Sequence, residues 1–148
     1  MTQATRQFVW VMRIFAFIYF VGAILFFFMP EETFYLINVG PRVLKMCEEI
    51  PMPSERFWAA LATSMMAMLL VSSLYSSLYP HVKGFVLIHV VSKAVSVTGF
   101  TYLFASHHRY FAYALGAATD TMVLLTVAGF YLRSAASERF AATASPGT

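Results

Sequence analysis

The sequence predicts an all-α fold: a membrane bundle of four transmembrane helices, with a short interfacial helix between the first two. Three observations predict it. Hydrophobic residues fill 59% of the 148 positions and charged residues only 11%, where a soluble domain carries about 25% charge. The 25 aromatic residues add to an apolar surface that water would not cover. Four runs, 8–29, 57–79, 82–106 and 109–132, each reach the length of about 20 residues that crosses roughly 30 Å of hydrocarbon.

The first run follows Arg6 and could be read as a signal peptide. It is too long for such an apolar segment, and "FFFMPEE" offers no small-x-small cleavage site. It is therefore expected to be a retained helix that ends at Pro30. Its internal charge, Arg13, lies near the start, where it can snorkel to the headgroups beside Trp10.

The stretch 30–56 mixes apolar and acidic residues and is expected to lie along the interface as one or two short helices broken at Gly40-Pro41. Ser54 is the expected N-cap of the second span, with Glu55 in its first turn. Pro80 ends that span, and "PHV" and "SHHR" are short enough to make consecutive helices antiparallel neighbours. The tail 134–148 is rich in Ala and Ser and is expected to be disordered. No internal repeat stands out.

The net charge of +3 says little, because in membrane proteins the placement of Lys and Arg matters more than their sum. With the N-terminus inside, Arg6, Arg13, Lys83, Arg133 and Arg139 share its side, against Arg42, Lys45, Arg56 and Arg109 opposite. That favours cytoplasmic N- and C-termini by a single charge. The lone cysteine, Cys47, excludes an intrachain disulfide framework and any CxxC pair.

Two charges interrupt the spans. Lys93 and Asp120 are each the twelfth residue of their runs, 82–106 and 109–132. At 1.5 Å per residue they lie about 22 and 19 Å from the intervening turn, so antiparallel helices place them at one depth near the midplane. Either charge alone costs about 2.5–3.5 kcal/mol at a helix centre, and pairing recovers much of that. His89, Ser92, Lys93, Ser96 and Gly99 follow helical i, i+3, i+4 spacing, while Ala112, Gly116, Thr119 and Asp120 form a small-and-polar stripe opposite. Ala60, Ser64, Ala67, Met68 and Ser72 form a weaker stripe on the second span, and Tyr19 and Gly22 add to the first near mid-depth. The candidate intramembrane polar site is thus Lys93, Asp120, His89, Ser92, Ser96 and Thr119. It reads either as a structural pair fixing helix register, as a ligand or proton site, or as a contact for a partner subunit.

Other chemistry finds little support. A bis-histidine haem needs two histidines at depth, and His81, His107 and His108 sit at the span ends. "SMMAM" is better read as packing than as soft-metal ligands. His107-His108-Arg109 is first a polar turn. No Gly-rich phosphate loop, HExxH or GxSxG occurs, no metal site or catalytic residue is assigned, and no basic patch serves nucleic acid. Phe57, Trp58, Tyr79, Tyr110 and Tyr131 are expected to form interface belts.

Arg13 just inside the first helix, Gly22 further along it, the closing Pro30, an excursion and three tightly connected helices resemble the DoxX-like family. These are small four-helix bacterial membrane proteins, some associated with quinone-linked oxidoreductases. The resemblance spans roughly residues 9 to 132, although the lysine that often follows the family's glycine is absent here. It implies the architecture and a bacterial-type inner membrane, and assigns no catalytic residue.

The leading expectation is a non-enzymatic accessory or structural subunit of a membrane complex, or a small homo-oligomer, with the bilayer and other membrane subunits as partners. The rival is a small transporter or quinone-linked membrane protein using Lys93, Asp120 and His89. No cofactor is predicted, though a quinone or lipid would suit the rival.

Overall fold

The computed structural model describes residues 1–45, 47–52 and 57–143, and these are all-helical apart from turns and one isolated β-bridge. The helices are α1 (Gln3–Phe28), α2 (Pro30–Leu44), α3 (Phe57–Leu78), α4 (Lys83–Ser106) and α5 (Phe111–Thr143). Four of them, α1, α3, α4 and α5, are long and apolar enough to cross a membrane, as a multi-pass membrane protein requires. Ser54 and Glu55, expected to start α3, lie outside the described residues.

Thr2 caps α1 by accepting the Thr5 N–H at 3.2 Å. Met29 alone separates α1 from α2. Its N–H still bonds to Leu25, and Pro30 then takes the first helical position of α2, where a missing N–H costs nothing. Glu31 and Glu32 sit favourably in that first turn.

Contrary to expectation, α2 does not break at Gly40-Pro41 but runs through to Leu44. A proline bars the preceding residue from helix mainly through that residue's Cβ and N–H, and Gly40 has no Cβ. The space a Cβ would fill is taken by the Phe111 ring of α5. Tertiary packing thus holds straight what the dipeptide alone would have broken.

The tail is a second correction. Helix α5 continues ten residues past Arg133 to Thr143, so residues 134–143 are helical; 144–148 lie outside the described residues. Ser134 is buried and donates to Thr5 Oγ1 at 2.9 Å, and Thr5 donates to Glu138 at 2.8 Å. His81 Nδ1 approaches the other Glu138 oxygen at 3.0 Å. An Ala/Ser-rich composition suits helix once such contacts anchor it.

The membrane-length helices form a four-cornered bundle. α1 packs on α3 and α5, and α4 packs on the same two, which leaves α1 and α4 at opposite corners; α2 lies against α5 and α1. One end, here the terminal end, gathers the start of α1, the 79–82 turn and the end of α5. The α2 end gathers α2, residues 47–52 and the 107–110 turn. There Glu48 bridges the turn in both directions, its N–H to Arg109 and its carbonyl to the N–H of Phe111.

The bundle is apolar outside and partly polar inside. Phe17, Val95, Leu125 and Leu132 are each about two-thirds exposed, a distribution suited to lipid. A small apolar core of Phe8, Met12, Val86 and Val127 closes the terminal end. The buried residues of α3 are Leu69, Ser72, Ser73, Ser76 and Ser77. The stripe expected on α3 is therefore misplaced: Ala60, Ser64, Ala67 and Met68 face outward, and of that set only Ser72 is buried. In a helix apolar all round, small residues do not by themselves mark the packed face. The aromatic belt is also divided, since Phe57, Trp58 and Tyr79 are exposed while Tyr131 packs on Phe8 and Tyr110 on Tyr113.

Candidate functional site

Lys93 is carried at the middle of α4 and Asp120 near the end of the third turn of α5. The antiparallel arrangement brings Lys93 Nζ to 2.6 Å from Asp120 Oδ1, and both side chains are largely buried. The second Asp120 oxygen accepts from Ser96, one helical turn from Lys93. The carboxylate thus has a donor on each oxygen, which is what a buried carboxylate requires. The Lys93 ammonium also lies 5.3 Å from the centre of the Tyr19 ring, within cation–π range.

His89, one turn before Lys93, is fully buried but takes no direct part in the pair. Its Nε2 lies 3.1 Å from Tyr19 Oη and its Nδ1 3.5 Å from Ser73 Oγ. The Tyr19–His89 bond runs from α1 to α4 across the diagonal of the bundle, a span that only two long side chains can bridge.

Of the remaining candidates, Ser92 is half-buried and lines a cavity beside the pair. Thr119 is exposed and turns its hydroxyl back to the Leu115 carbonyl at 2.8 Å. It borders the cavity without joining the pair.

That cavity, about 470 Å³, lies between α3, α4, α5 and the α2 region. Lys93, Asp120, Ser92 and Ser96 form one polar wall. Phe26, Phe34, Leu69, Phe100 and Tyr113 form much of the rest. A second cavity of about 670 Å³ continues it toward Ile50, Met52, Trp58 and Tyr110, sharing Phe26, Phe34, Ile50, Ala62, Phe100 and Tyr113. Together they form an aromatic passage from the α2 end to the Lys93–Asp120 pair. Gly116 gives the passage its shape: a Cβ there would come within 2.7 Å of the Phe100 ring.

The cavity has the size and balance of a small-molecule site, mostly apolar with a few converging polar groups. Lys93 and Asp120 cancel in charge, so the wall offers donors and acceptors rather than a net field. An ammonium has three N–H donors; Asp120 takes one, and others remain for a ligand. Among the described residues, no group of three His, Cys, Asp or Glu side chains could hold a metal ion.

Sequence reasoning placed the pair and its serine, but missed the cavity and the buried hydroxyls of α3. The repeated serine pairs in "SSLYSSLYP", four residues apart on one helical face, carried the signal. No known protein family, curated protein or solved structure matches this chain.

Proposed function

We propose that this membrane protein holds a neutral, amphipathic small molecule between its helices, with the polar head against Lys93, Asp120 and Ser96. The observation that carries the reading is the passage itself: aromatic walls that end at a charge-neutral, hydrogen-bonding pair between α4 and α5. A charged solute would meet no compensating field there. A lipid-like or quinone-like molecule would bury its body among Phe26, Phe34, Phe100 and Tyr113 while its carbonyl or hydroxyl accepted a Lys93 N–H. The activity would be carriage or presentation of that molecule, not chemistry upon it. Cytoplasmic termini would fit the placement of Lys and Arg, and the resemblance to the DoxX-like family carried by Arg13, Gly22 and Pro30 would imply a bacterial-type inner membrane.

Association with other membrane subunits draws on the apolar outer face alone, which lipid covers equally well. The test is retention. Protein purified into nanodiscs is extracted, and the released small molecules are compared by mass spectrometry with those from Ala62→Phe, which fills the passage from its α3 wall. A neutral amphipathic compound held by the wild type and lost from a folded Ala62→Phe is expected. Identical extracts from the two proteins would overturn the proposal.

A further inference from the structure

The passage reaches the Lys93–Asp120 pair from the α2 end. On the terminal side of the pair, the interior changes character. His89 lies about 6 Å nearer that end than Lys93 along α4. Beyond it come the buried hydroxyls of Ser73 and Ser76, both fully shielded, on one face of α3. Beyond these, at the surface, stands the exposed His81 with Glu138.

This seam contains more polar capacity than the fold needs. Ser72 and Ser77 are satisfied locally, by the carbonyls of Phe85 and Leu74 at 2.9 and 2.8 Å. Ser76 Oγ is buried and has no hydrogen-bond partner in the protein. A buried, unpartnered hydroxyl is destabilising, and alanine would fill the position without that cost. Ser76 is one turn from Ser73, whose hydroxyl meets His89. The apolar core of Phe8, Met12, Val86 and Val127 closes the terminal end beside this seam to anything large, but a proton needs only a chain of hydrogen bonds.

We propose that the seam is a proton relay joining the terminal face to the Lys93–Asp120 pair: Ser76, Ser73, His89 and Tyr19, bridged by water where direct contact ends. A proton entering from water at the His81–Glu138 face passes along the serine hydroxyls to His89 Nδ1. The resulting imidazolium gives its Nε2 proton to Tyr19 Oη, and the phenol releases its own proton toward the pair. Bridging water carries that proton to Asp120, which becomes a neutral acid. Tyr19 is again a neutral phenol, and His89 is left neutral with its proton on Nδ1, so its ring proton must return to Nε2 before a second proton passes. The groups facing His89 are Tyr19 and Phe15 from α1, Ser73 from α3, Lys93 on its own helix and, through its charge, Asp120 from α5. Asp120 so protonated leaves Lys93 unpaired, and the site changes from net neutral to singly positive. Proton arrival on one side would thereby alter what the passage holds on the other. That consequence rests on the proposed ligand site; the relay itself does not.

The test reads His89 alone. In protein labelled with 15N-histidine and held in nanodiscs, the rate at which the His89 ring proton exchanges with solvent is measured by NMR. Ser76→Ala is expected to slow exchange about tenfold, equivalent to about 1.4 kcal/mol of barrier. Ser76→Thr, which keeps the hydroxyl, is expected to preserve the rate, and so is Ala62→Phe, which blocks the passage. Where Ser76→Ala does not fold, Ser73→Ala beside Ser73→Thr gives the same comparison. An unchanged rate in the alanine variant, or slowing in Ala62→Phe, overturns the relay. Identical extracts from wild type and Ala62→Phe, together with slowed exchange in Ser76→Ala, would instead count against the ligand site and leave the relay standing.

Discussion

Lys93 Nζ, at the middle of α4, and Asp120 Oδ1, in the third turn of α5, meet at 2.6 Å between adjacent antiparallel helices, where neither charge could stand alone cheaply. Lys93→Met or Asp120→Leu alone is expected to destabilise the protein by about 3–5 kcal/mol, since each leaves a buried partner uncompensated. The double variant is expected to lose much less than the sum of the two. A double-mutant cycle by detergent unfolding should give a coupling of about 2–3 kcal/mol. Additive losses would show that the pair contributes no mutual stabilisation.

Ser96 holds the second Asp120 oxygen. Ser96→Ala is expected to cost about 1–3 kcal/mol, the range for leaving a buried acceptor unsatisfied. The loss should vanish in an Asp120→Leu background, where no acceptor remains. Thr119→Val is expected to be near neutral, because the Thr119 hydroxyl bonds only to its own helix. Comparable losses from Ser96→Ala and Thr119→Val would contradict the geometry.

Gly40 leaves the space that the Phe111 ring occupies. Gly40→Ala should therefore push α2 away from α5 and cost about 1–3 kcal/mol by overpacking. A smaller cost in a Phe111→Ala background would identify the clash as the cause. Hydrogen exchange across 30–44 should rise in the single variant, because α2 would lose its seat.

At the terminal end, Glu138→Ala removes an acceptor from Thr5 and a partner from His81. It is expected to cost about 1 kcal/mol, a typical net value for a hydrogen bond, and to fray the last turns of α5. A variant with wild-type stability and unchanged exchange over 134–143 would mean that these contacts do not anchor the helix.

Arg42 donates two hydrogen bonds to Glu49, tying α2 to the strand-like segment after it. The guanidinium holds the Glu49 carboxyl below its ordinary range through these bonds, and Glu49 in turn raises Arg42. A depressed carboxylate stabilises the fold fully above its unfolded pKa, and that contribution is lost as pH falls through the lower folded value. An NMR titration of Glu49 should therefore move upward in Arg42→Ala. Added salt should shrink the difference, because the pair is exposed.

The depth of Lys93 and Asp120 was legible because turn length, helix rise and the cost of a lone charge in lipid together admit few arrangements. Ser96 followed from helical spacing. What the sequence hid was lateral: which way each helix turns within the bundle. In α3 apolar residues run all round the helix, so apolar periodicity does not mark the buried face, which carries Leu69 and four serines. The same limit concealed the aromatic passage, which depends on the Phe100 ring lying against Gly116, in the space a Cβ would fill. Helix through Gly40-Pro41 and past Arg133 was hidden for another reason. Local composition argued against each, and contacts with residues 70 or more positions distant overrode it.

Met29, the lone residue between α1 and α2, leaves those helices no slack. It acts as a stiff elbow, with Pro30 fixing the backbone on its far side. A tilt of α1 would be transmitted as a swing of α2, whose far end presses Gly40 on Phe111 at the start of α5. The mouth of the passage lies between those points, bordered by Phe34 on α2 and Tyr110 just before α5. The one-residue link thus ties the seat of α2, and with it one border of the mouth, directly to the end of α1.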